Sequence, residues 1–141
     1  MVTTPVCLDT NVVSELLKPE PDERFRARFS ECAGGYVLPA PVWHELLFGV
    51  ARMPPGARRT AIEAGLRGVI EPCVDVLPYD KAAAALHASE RARLAAIGRS
   101  PPFVDGQIAA IAAVNGLPLV TRNVKDFDGF ASLILLDWWA A

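Results

Sequence analysis

The chain has 141 residues, enough for one domain and too few for two, and a domain of this size typically buries about 70% of the surface its unfolded chain exposes. Hydrophobic residues make up 52% and charged residues 21%, which excludes a disordered chain, and no apolar run reaches the ~20 residues that span a bilayer. A net charge of −2 excludes a globally basic nucleic-acid binder, although eleven of the fourteen basic residues are Arg, the planar reader of phosphate. High genomic G+C content explains that bias equally well, so Arg usage alone decides nothing.

In chain order, Pro5 to Leu8 is an apolar run that predicts a strand, and Asp9-Thr10-Asn11 is the turn into a short helix over Val12 to Leu17. Pro19 and Pro21 end that helix. Asp22 caps another through Phe25 and Phe29, Gly34-Gly35 stops it, and Tyr36 to Leu38 is a second strand. Pro41 suits the first turn of a helix running through Val50, and a further helix is expected from Pro54-Pro55-Gly56 to about Glu71. Val74 to Leu77 is the third strand, and Asp80 caps a long helix from Lys81 to Ile97 that Gly98 ends. Ser100-Pro101-Pro102 opens the next helix, Phe103 to Val114, closed by Asn115-Gly116; Leu117 to Thr121 and Ser132 to Leu136 are the last two strands.

Strands alternate with helices throughout, and the strands are continuous apolar runs, as expected when helices cover both faces of a sheet. The expected fold is one α/β domain over residues 1–141, a three-layer α/β/α sandwich with a mainly parallel five-stranded sheet. Cys7, Cys32 and Cys73 are odd in number, far apart and without a C-x-x-C pair, so they read as buried, reduced thiols. Met1 to Pro5 lacks a basic region followed by an apolar stretch, so a cytoplasmic protein with no membrane association is expected.

In open parallel sheets ligands bind beyond the carboxyl ends of the strands. The polar residues that follow apolar strands are therefore informative: Asp9, Asp80 and Thr121-Arg122-Asn123. Asp9 is either a helix cap or a site residue. Glu45 sits in a helix apolar on nearly every side, where an ionised carboxylate needs an Arg partner or a cation. Asp105 interrupts a similarly apolar helix, and the 0.3–1 kcal/mol it gains from the helix dipole is less than the cost of burying it unpaired. Convergence of three carboxylates at about 4 Å would cost roughly 4 kcal/mol per pair near a protein surface, which a divalent ion removes. With no Cys/His cluster the ligands would be oxygen atoms, which select Mg²⁺ or Mn²⁺ over Zn²⁺ and serve phosphoryl chemistry.

Four segments, Val6 to Leu16, Trp43-His44-Glu45-Leu46 with Gly49, Phe103 to Ala112, and Thr121-Arg122-Asn123-Val124-Lys125-Asp126-Phe127, together resemble the PIN-domain family. The likeness is to the VapC and FitB-like toxins of bacterial toxin–antitoxin modules and covers the whole chain. It implies a Mg²⁺- or Mn²⁺-dependent endoribonuclease that hydrolyses RNA phosphodiester bonds with a metal-activated water. The family's acidic residues fall on Asp9, Glu45 and Asp105, with Asp9 and Asp105 as primary metal ligands and Glu45 binding a second ion or orienting the water. The fourth position is Asn123 or Asp126, and Asp126 could instead cap the turn around Phe127.

By the same resemblance Thr10, Asn11 and Thr121 line the substrate site; by its charge Arg122 beside the site is a candidate for gripping the RNA backbone, and so are Arg24, Arg26, Arg28, Arg52, Arg58 and Arg59, whose alternative reading is solvated helix faces. His44 is a helix neighbour pointing about 100° away from Glu45, so it and His87 read as ordinary, partly exposed histidines. The implied partners are RNA, a cognate antitoxin, a second copy of the chain, and operator DNA reached through a complex with the antitoxin. Trp138-Trp139 is either interface or core. The competing readings are a catalytically weak toxin-like subunit acting mainly in a DNA-binding regulatory complex and a phosphorylated receiver domain. The receiver's adjacent acidic pair and C-terminal Lys are missing from this sequence.

Overall fold

The computed structural model describes residues 5–32 and 34–140, and the expectation for Met1 to Thr4 lies outside them. Five strands, β1 (Val6–Leu8), β2 (Tyr36–Pro39), β3 (Val74–Leu77), β4 (Leu119–Val120) and β5 (Leu135–Leu136), form one sheet in the order β3-β2-β1-β4-β5. Every neighbouring pair is parallel. The helices are α1 (Thr10–Leu16), α2 (Glu23–Glu31), α3 (Ala40–Ala51), α4 (Ala57–Gly65), α5 (Lys81–Ala96), α6 (Phe103–Val114) and α7 (Val124–Phe127). All of β1 and both residues of β4 are buried, so helices cover both faces at the sheet's centre, as the unbroken apolar runs require. At the edge, β3 leaves Asp75 and Val76 exposed.

Local chemistry sets the helix limits. The Asp22 carboxylate accepts from the N–H groups of Arg24 and Phe25 at 2.9 and 3.1 Å, and Asp80 accepts from Ala83 at 3.0 Å. Gly98, at φ +78°, ends α5 while the Arg99 N–H returns to the Leu94 carbonyl at 2.8 Å. No helix among the described residues is long and apolar enough to cross a membrane.

Four expectations are corrected. The helix expected to reach Glu71 stops at Gly65 and continues as a wide π-type turn, Leu66–Ile70, and a tight 3₁₀ turn, Glu71–Cys73. β4 and β5 are shorter than their apolar runs: the Leu117 N–H closes α6 on the Ala112 carbonyl, Pro118 has no N–H, and Ser132 sits at φ +62°, outside extended backbone. Cys7 is buried, but Cys32 is half-buried and Cys73 exposed, because Cys73 lies in the 3₁₀ turn ahead of an edge strand. His87, expected to be partly exposed, is only 4% exposed, wedged between α5 and α6.

The topology prepares a crevice. From β1 the chain steps to β2 and β3 on one side, then crosses to β4 and β5 on the other. Strand order therefore reverses between β1 and β4, and the carboxyl end of that pair is the binding crevice of an open parallel sheet. Cys7 pairs with Leu119 and Leu8 with Val120, so Asp9 and Thr121 leave the sheet side by side.

Candidate active site

Asp9 follows β1 directly, and its N–H donates to the Val120 carbonyl at 3.0 Å, so the sheet ladder itself places it. Its Oδ1 accepts the Thr10 N–H at 2.8 Å; its Oδ2 accepts the Thr121 hydroxyl at 2.8 Å and the Asn11 amide at 3.2 Å. The Asp9 carboxylate caps α1 and at the same time lines a cavity. The side chain is 7% exposed, and burial raises its pKa above the ordinary carboxylate value, with the Glu45 charge adding to the rise and the three hydrogen bonds opposing it.

Glu45 comes from α3, where its Oε2 accepts the Thr10 hydroxyl at 2.6 Å. It is half-buried, less enclosed than its apolar helix suggested, because Phe48 and His44 on the same helix face outward. Asp105, in the first turn of α6, is also half-buried. Its pKa is pushed up to about 6, first by burial and then by the charges of Asp9, Asp126 and Glu45.

Asp9, Glu45, Asp105, Thr10, Asn11, Arg122 and Asn123 line one cavity of about 470 Å³. Thr121 does not: it is fully buried behind Asp9, where it orients the carboxylate and accepts the Asn123 N–H at 3.1 Å. Asn11 bridges outward, accepting the Arg122 N–H at 3.0 Å on its Oδ1. Asp126 faces a neighbouring cavity of about 270 Å³ together with Arg99 and Lys125, yet its charge is felt at Asp105. Of the two fourth-position candidates, Asn123 lines the cavity and Asp126 acts on it from the next one.

Four cavity residues escaped the sequence reading: Ser14, Glu15, Lys18 and Trp139. Glu15 is buried, and although burial raises its pKa, the Asp22 N–H, the Lys18 ammonium and the Trp139 indole N–H hold it below the ordinary value. The i, i+3 spacing of Glu15 and Lys18 on α1 was a readable signal; the indole contact spans 124 residues and had none. Among the further Arg candidates, Arg28 and Arg59 donate to the Ala140 and Met53 carbonyls, and Arg52 lies over Phe48.

Among the described residues no ion pair involves Asp9, Glu45 or Asp105, which leaves the Arg-partner alternative for Glu45 without support. Nor do three acidic, imidazole or thiol side chains approach closely enough to cage an ion by themselves. An unneutralised set of oxygen donors around an open cavity fits a hard cation that keeps part of its water shell and takes one or two carboxylates, the habit of Mg²⁺, better than a four-ligand Zn²⁺ centre.

A family model described as the PIN domain matches residues 6–132. The chain is 36% identical over 137 residues to the VapC ribonuclease Y4jK of Sinorhizobium fredii, covering 95% of this chain and 97% of that protein. It is 34% identical over 136 residues to Toxin FitB of Neisseria gonorrhoeae, covering 94% and 98%. The structure of DNA-bound VapBC from Salmonella typhimurium superimposes with a TM-score of 0.81 at 29% identity, over 96% of this chain and 99% of that one.

Proposed function

The chain belongs to the PIN-domain family, and from that premise we propose that it is a divalent-metal-dependent endoribonuclease, acting in the cytoplasm as the toxin of a toxin–antitoxin pair. The observation that carries the reading is the convergence of Asp9, Glu45 and Asp105, from three different elements, on one cavity without a cationic partner among the described residues. Asp9 and Asp105 would hold Mg²⁺ or Mn²⁺, which when bound neutralises charge on the reacting phosphate and acidifies a water.

The protein's own groups supply the rest. Thr121 and Asn11 fix the Asp9 carboxylate so that its free lone pairs face the cavity. Glu45, held by the Thr10 hydroxyl, orients the attacking water and accepts its proton. Arg122 and Lys18 at the rim draw in the phosphate backbone, and the Asn123 amide adds a neutral hydrogen-bonding group. The test is cleavage of structured RNA by the purified protein with Mn²⁺, with Mg²⁺ and with EDTA. Cleavage in both metals and none in EDTA is expected, together with a loss of at least a hundredfold in Asp105→Asn; full activity in that variant or in EDTA sinks the reading.

A second reading rests on the DNA-bound VapBC neighbour. On it, this chain works chiefly as a homodimer joined to an antitoxin that occupies operator DNA. Operator binding by the complex that survives Asp105→Asn, combined with absent RNA cleavage by the free chain, would favour it.

A further inference from the structure

The acidic cavity has one aromatic wall, and its place is unusually well fixed. We propose, resting on the ribonuclease reading, that Trp139 and Arg122 form a stacking subsite for one unpaired nucleobase of the RNA, next to the phosphate held at the carboxylates.

Trp139 and Arg122 line the same cavity as Asp9, Glu45 and Asp105. The indole is stacked on the fully buried Phe25 ring, with centroids 4.8 Å apart and planes 26° from parallel. Its Nε1–H donates to Glu15 at 3.3 Å, and Glu15 is itself fixed by Lys18 at 3.0 Å and by the Asp22 N–H at 2.9 Å. The Trp139 N–H donates to Asp137 at 2.9 Å. A ring tied at face, edge and backbone cannot swing away when a ligand arrives, so its cavity side is a preorganised surface.

Arg122 complements it differently. Its backbone N–H is tied to Asn11, beside Asp9, while its exposed guanidinium lies with Cζ 5.5 Å from the Trp139 ring centroid. A flexible planar cation on the face of a fixed indole is a cover that a planar aromatic ring can displace or slip beneath, keeping the cation–π contact on its far side. Nucleobases of single-stranded RNA are recognised by stacking of this kind on aromatic side chains and guanidinium planes, whereas bases in an A-form duplex are inaccessible to it. The cavity, at about 470 Å³, has room for a nucleotide unit but not for a duplex. The carboxylates exclude an acidic peptide from this position, and the ring's closeness to them places the stacked base on a nucleotide adjoining the reacting phosphate.

The test is a cycle between protein and ligand. Binding of a short single-stranded RNA is measured in Ca²⁺, a hard oxygen-seeking ion, by calorimetry and by quenching of indole emission, with an abasic nucleotide placed at each position in turn. The wild type is expected to lose about tenfold in affinity at one position. Trp139→Leu should lose about as much with intact RNA and become insensitive at that same position, while Trp139→Phe keeps most of the affinity and Arg122→Ala binds intact RNA more weakly and shows a smaller, but still present, penalty at that position. Equal abasic penalties in wild type and Trp139→Leu overturn the proposal. Should Trp139→Leu fail to fold, Trp139→Phe decides: RNA must still bind it, and the base-dependent quenching must vanish. Cleavage in Mn²⁺ is followed in parallel. Cleavage without coupling to Trp139 removes the subsite and leaves the ribonuclease; coupling without cleavage keeps the subsite and removes the ribonuclease.

Discussion

A single carboxyl reports the strain in the acidic cavity. In the folded chain the Asp105 pKa is about 6, against about 3.8 when exposed, so between those values the folded state holds the proton longer than the unfolded one. Stability therefore falls as pH rises through that window and levels off above it. Asp105→Asn removes the penalty: above about pH 6 the metal-free variant is expected to be more stable than wild type by about 1–2 kcal/mol, and near pH 3 the two should coincide, as urea melts across pH can show. Divalent ions act in the opposite sense, favouring the ionised form, so Mn²⁺ should raise the melting temperature of wild type more than of the variant, and the difference should shrink below pH 6. Thr121, which touches no solvent, makes a second residue-scale case. Thr121→Val keeps the shape but leaves Asp9 short of one charged hydrogen bond, worth about 1.5–3 kcal/mol, and is expected to lower Mn²⁺-dependent cleavage at least tenfold while the chain stays folded by circular dichroism.

Among the elements, α5 and α6 were the most legible, because Asp80, Gly98 and the Pro101-Pro102 pair punctuate them in the sequence itself. What lies between the two helices was not legible. His87 is held by the Tyr79 hydroxyl at 2.8 Å, and the first turn of α6 rests directly on its ring, where a Cβ on Gly106 would fall 2.2 Å from Nε2. Both partners come from other elements, so periodicity could identify His87 as a helix residue and nothing more. Burial, followed by the nearby Arg91 charge, lowers the His87 pKa, which keeps the ring neutral at physiological pH. Gly106→Ala is expected to destabilise by about 1–3 kcal/mol and to weaken Mn²⁺ binding through the adjoining Asp105, and His87→Ala in the same chain should restore much of both. Simple addition of the two losses, measured by denaturation and metal titration, would show that the helices do not share this contact. The short β4 and β5 hid for a related reason: their apolar runs are long enough, but the Leu117 N–H is diverted to close α6 and Ser132 leaves extended backbone.

At the scale of the molecule, the acidic residues were readable because each interrupts an apolar element or follows one, while the wall opposite them was not, since Trp139 reaches the cavity only through tertiary packing. The strand order explains this division. With β1 in the middle of the sheet, its first neighbour is β2 and its second is β4, so Asp9 meets Thr121 across 112 residues and Glu15 meets Trp139 across 124. Contacts of such range form late, after the entropy of closing long loops has been overcome. A ribosome making this chain therefore carries an incomplete nuclease: until β4 and β5 have left the exit tunnel, Asp9 lacks its Thr121 donor, and the cavity lacks Arg122, Asn123 and Trp139. Nascent chains stalled with residues beyond 115 still in the tunnel are expected to leave added RNA intact in Mn²⁺, and the same chains extended by a linker that frees the last strand should cut it. Synthesis itself thus delays the hazard, giving a machine built of RNA time to finish and release a product that can destroy RNA.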